Sequence, residues 1–87
     1  MTAEELTSAL AGTDVEATMT SLGFTTEFVA KNVMSVDGQI TVSQVAMLWM
    51  GMPNKHDRKR VRQLMDALVG AKLLEPVAED TYAPVAR

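Results

Sequence analysis

The stretch Asn54-Lys55-His56-Asp57-Arg58-Lys59-Arg60-Val61-Arg62-Gln63-Leu64-Met65-Asp66-Ala67-Leu68 decides how this chain is read. Turning 100° per residue from Val61 places Leu64, Met65 and Leu68 within about 60° of it, an apolar stripe that must face a core. On the opposite side Lys55, Lys59 and Arg62 recur at i, i+4 and i+7, with His56 and Gln63 beside them. Asn54 can cap the helix, and Asp57 falls in its first turn, where the helix dipole favours an acid. A helix is therefore predicted from residue 55 to about 71.

Downstream, residues 73–77 and 82–85 are two short strand candidates, and residues 78–81 join them as a hairpin loop. Upstream, Gln39-Ile40-Thr41-Val42 is rich in β-branched residues and predicts a very short strand. Thr41-x-x-Gln44 is a capping box that opens a helix with Val45, Leu48 and Trp49 on its apolar side; Gly51 and Pro53 close it. Further out the N-terminal half reads as short helices. Thr2-x-x-Glu5 and Thr13-x-x-Glu16 repeat the capping box, and Gly12 and Gly23 act as stops. A third helix from Thr25 or Thr26 carries Phe28, Val29 and Val33 inward and ends near Ser35, before the turn signal Val36-Asp37-Gly38.

Short strand, helix, turn, longer helix and hairpin follow one another in that order. Three segments carry a resemblance: Ile40-Thr41-Val42-Ser43-Gln44-Val45-Ala46, Val61-Arg62-Gln63-Leu64-Met65-Asp66-Ala67-Leu68, and Ala71-Lys72-Leu73-Leu74-Glu75-Pro76. In them the chain resembles a winged helix-turn-helix domain of the MarR-like superfamily. The resemblance implies a fold that is mainly α with a small β-hairpin, a winged helix-turn-helix preceded by short N-terminal helices. Residues 1–87 then form a single winged-helix domain, with 1–36 as leading helices and 39–86 as helix-turn-helix and wing. The turn Gly51-Met52-Pro53-Asn54-Lys55-His56 is longer than the tight glycine turn of a simple helix-turn-helix. The wing tip carries Glu79 and Asp80 where many DNA-binding wings carry Arg or Lys, and like charge facing phosphate is repulsive.

Composition bounds the chemistry. The chain has 87 residues, 47% of them hydrophobic and 22% charged, which is a globular balance. Without cysteine it has no disulfide framework, cysteine-held zinc or iron–sulfur site, and no thiol nucleophile. The longest apolar run, residues 45–53, is about half of the roughly 20 residues that span a bilayer. The first residues, Met1-Thr2-Ala3-Glu4-Glu5, lack the basic and apolar regions of a signal peptide. A cytoplasmic location without membrane association is expected. The net charge is −3, but it is unevenly spread: residues 1–45 hold six acids and only Lys31 as a base. Five of the eight Lys and Arg residues fall between positions 55 and 62, a pattern that faces a partner.

Other constellations carry less. Residues 33–44 have the outline of an EF-hand loop with Gly38 at its sixth place, but Val33 and Gln44 occupy the first and twelfth, where calcium needs oxygen ligands. The single histidine, His56, has neither a nucleophile nor an orienting acid in register, and no phosphate loop or serine elbow is present. No cofactor, metal or enzymatic activity is expected. Met47, Met50 and Met52 with Trp49 form a soft apolar cluster, for which core filling is favoured over an outward partner surface.

The resemblance implies a small DNA-binding protein, a transcriptional or accessory regulator that contacts double-stranded DNA. Lys55, Lys59 and Arg62 would meet phosphates or base edges, assisted by His56, Arg58, Arg60 and Gln63. A homodimer through the acidic leading helices is implied in the same way. The stripe reads equally as a solvated face steadied by an Arg62–Asp66 pair. The alternative function is a winged helix used for protein–protein interaction, an adaptor or inhibitor. The net charge, the acidic wing tip and the Met/Trp cluster favour it, and the basic stripe would then meet an acidic protein surface.

Overall fold

A computed structural model describes residues 1–85; residues 86 and 87, the end of the expected wing segment and of the chain, lie outside the described residues. Four helix starts are written in short polar side chains. Thr2 and Glu5 form a reciprocal capping box ahead of α1 (Ala3–Leu10). The Thr25 hydroxyl accepts from the Phe28 N–H to open α3 (Thr26–Asn32). Thr41 with Gln44 opens α4 (Val42–Met50), and Asn54 with Asp57 opens α5 (Lys55–Gly70). The predicted box at Thr13 does not form. The Thr13 hydroxyl donates back to the Leu10 carbonyl at 2.6 Å, and α2 (Val15–Leu22) starts after Asp14 with no side-chain cap.

Gly23 ends α2 at φ +97°, a left-handed conformation that suits glycine, and its N–H reaches the Met19 and Thr20 carbonyls. A Cβ at this position would stand 3.4 Å from the Trp49 ring. That close approach lets Trp49 lie 4.1 Å, centroid to centroid, from Phe24.

The predicted strand at residues 39–42 shortens to β1 (Ile40–Thr41), because Thr41 is already the N-cap of α4. β2 (Leu74–Ala78) and β3 (Thr81–Pro84) form the hairpin, joined by Glu79 and Asp80 alone. The sheet is antiparallel in the order β1-β3-β2, with Ile40 opposite Tyr82 and Thr41 opposite Thr81. A strand hairpin in place of a C-terminal helix also argues against an EF-hand reading of residues 33–44. The described residues are thus mainly helical, with five helices and one small antiparallel sheet.

One hydrophobic cluster joins every layer. Leu6 and Leu10 of α1, Met19 of α2, Val29 of α3, Val42, Val45 and Ala46 of α4, and Leu74 and Tyr82 of the hairpin all belong to it. Val61, Leu64, Met65 and Leu68 contribute the predicted α5 stripe, each fully buried. Fixing that face inward leaves the opposite face of α5 to solvent.

The α4 assignment is corrected. Leu48, predicted on the apolar side, is 59% exposed, and Met47, Met50 and Met52 are exposed instead of filling the core. The buried line is set by Val42 and Ala46, continued by the half-buried Trp49 at i, i+4 and i+7. Leu48 lies about 100° from Trp49 and about 160° from Ala46, so it falls off that line.

Candidate nucleic-acid interface

The long helix α5 carries all seven predicted site residues and positions them by the burial of its other face. Lys55, His56, Lys59, Arg62 and Gln63 line one open depression of about 510 Å³, together with Asp66. Five of the seven predicted residues are therefore brought together. Lys55, His56, Lys59 and Gln63 are exposed and make no side-chain hydrogen bond or ion pair among the described residues.

Arg58 and Arg60 are placed elsewhere. Arg58 is half-buried and donates from Nη1 to the Pro53 carbonyl at 3.1 Å, which ties the first turn of α5 to the preceding loop. Arg60 is exposed but does not line the depression. Asp57, in the same stretch, is buried by its capping role: its carboxylate accepts from the Asn54 N–H at 3.0 Å.

Arg62 is the member whose chemistry differs most from expectation. It does not pair with Asp66 one turn on. Its Nε and Nη2 donate to the two carboxylate oxygens of Asp80 at 2.9 Å each, a fork-to-fork pair with the hairpin loop. The hydrogen bonds to Arg62 hold the Asp80 carboxyl below the usual carboxylate range and push the guanidinium up. Asp66 instead accepts from the Tyr82 hydroxyl at 2.9 Å. Burial, followed by that hydrogen bond, pushes the Tyr82 phenol up to about 12. The Asp80 carbonyl also accepts from the Val42 N–H at 2.9 Å. The hairpin loop is thus held to the start of α4 and to the middle of α5, with its second acid paired.

Sequence reasoning missed Asp80 and Tyr82 as neighbours of the stripe. Each lies 16 or 18 residues from its partner, and no local spacing rule connects them. It also missed the exposed apolar side chains of α4. The sequence held no signal for them, because every residue from Val45 to Met50 is apolar and the helical period there has no phase. Among the described residues no three His, Asp or Glu side chains gather as a metal site, and no helix is long and apolar enough to cross a membrane. No protein-family model matches the chain, and no curated protein or solved structure is significantly similar to it.

Proposed function

We propose that the chain is a winged-helix protein that binds double-stranded DNA through the N-terminal half of α5, acting as a transcriptional or accessory regulator. One observation carries this reading: Lys55 and Lys59 stand unpaired on the solvent face of a helix whose other face is locked into the core. In this fold a helix so placed enters a major groove about 12 Å wide. The nine residues 55–63 span about 13 Å along the helix axis, enough to follow the groove edge.

Lys55 and Lys59 meet phosphates, while His56 and Gln63 offer hydrogen bonds at the groove floor; a glutamine amide suits an adenine edge. Arg58 acts at one remove, fixing the turn that aims the helix. Arg62 reaches a phosphate only by exchanging Asp80 for it, a modest exchange because exposed ion pairs contribute little. The hairpin then serves as a buttress to α5 and not as a second phosphate contact.

A second reading has its own support. The exposed Met47, Leu48, Met50 and Met52 favour a protein adaptor or inhibitor whose basic stripe meets an acidic protein surface. Fluorescence anisotropy of a mixed-sequence duplex, titrated at two salt concentrations, separates the two. The duplex reading expects affinity that falls with added salt, with a log–log slope of about −2 to −4 per copy, and is lost in Lys55→Glu/Lys59→Glu. Absence of binding at low salt, or binding indifferent to the double substitution, overturns it in favour of the protein partner.

A further inference from the structure

Five large apolar side chains are exposed among the described residues, and four of them fall within six positions at the end of α4 and the turn after it. Met47 is 61% exposed, Leu48 59%, Met50 48% and Met52 94%. Met47 and Leu48 line an apolar depression with Gln44. No residue from position 38 to 54 carries a charge. The other helices present charge to solvent: Glu4 and Glu5 on α1, Glu16 on α2, Glu27 and Lys31 on α3, and the basic stripe on α5.

We propose that this face is the contact between two copies of the chain related by a two-fold axis. Such a contact sets one patch against its own two-fold image, so a charged residue near the axis meets its like. A face without charge escapes that repulsion, and among the described residues no other helix offers one of comparable apolar content. Burying the four side chains in both copies removes on the order of 1,000 Å² from water, the lower bound for a specific interface. Three of the four are methionines, whose unbranched side chains adapt to an imperfectly matched surface. The pairing also answers a shortage. One copy offers Lys55 and Lys59 as the unpaired lysines of its stripe, and two copies double the phosphate contacts available to a duplex. That last step rests on the duplex reading; the self-association does not.

Sedimentation equilibrium of the full chain without DNA, from low micromolar to about 300 µM, tests it across the affinities such an interface supports. The expected weight-average mass rises from 9.4 kDa towards twice that value and no further. Leu48→Lys and Met47→Lys each hold the chain at 9.4 kDa throughout, with helical circular dichroism and melting unchanged because both side chains are exposed. A wild-type mass of 9.4 kDa at every concentration overturns the proposal, as does association that both substitutions leave intact or that continues past a dimer. Duplex binding is read separately by anisotropy. A monomer that binds duplex sinks the self-association alone, and a dimer that binds none sinks the duplex reading alone.

Discussion

An arginine on a basic helix face can hold a carboxylate of its own chain or a phosphate of another molecule, and Arg62 holds Asp80 through two bonds of 2.9 Å. Both partners are more than two-fifths exposed, so the pair steadies the hairpin loop without fixing it against a stronger anion. Tyr82 is the more buried member of this neighbourhood and gives the sharper prediction. Its phenol is the donor to Asp66, and burial raises its pKa to about 12. A group raised in the folded state contributes its stability in full below the unfolded value, about 10, and loses it as pH climbs towards 12. As the chain has one tyrosine, phenolate absorbance reports this group alone. Its midpoint is expected near 12 in the folded protein and near 10 in denaturant, and Asp66→Asn moves the folded midpoint down. A native midpoint at 10 contradicts the contact.

At the scale of elements, the helices were legible wherever a cap closed within three residues. The boxes at Thr2 and Thr41 form as the spacing predicts, and the predicted Asn54 cap closes into a box with Asp57, since both bonds of each box lie inside one turn. Thr13 fails because its hydroxyl has an equally local alternative in the Leu10 carbonyl behind it. The face of α4 was not legible for a different reason. From Val45 to Met50 every residue is apolar, so hydrophobic periodicity carries no phase, and only the packing of Trp49 on Phe24 sets it. The cationic stripe of α5 was legible because apolar and basic residues alternate there at helical spacing, whereas its clasp to Asp80 depended on how the hairpin returns. The junction after α5 holds a further test. Lys72 sits at φ +64°, the left-handed conformation at which helices commonly place glycine, and its N–H reaches the Val69 carbonyl. Lys72→Gly is expected to stabilise the chain by about 0.5–1 kcal/mol in urea unfolding, relief of left-handed strain exceeding the entropy cost of glycine. A loss of stability contradicts the assigned conformation.

For the whole molecule, charge and apolar surface are sorted by location. Six of its acids lie in the first 45 residues, five of its bases lie within one half of α5, and the uncharged segment 38–54 separates them. A net charge of −3 opposes long-range attraction to a duplex, so the proposed binding rests on the local field of α5 and on hydrogen bonds at close range. This makes the location of contact, more than its strength, the decisive observable. The most direct measurement is an amide NMR titration of the labelled chain with a short duplex at low salt. The account expects perturbations concentrated over residues 55–63, with Arg62 and Asp80 shifting together as the clasp exchanges for phosphate. Perturbations centred on α1 or α2 with α5 silent, or none at all, would contradict the assignment of α5 as the DNA-facing helix.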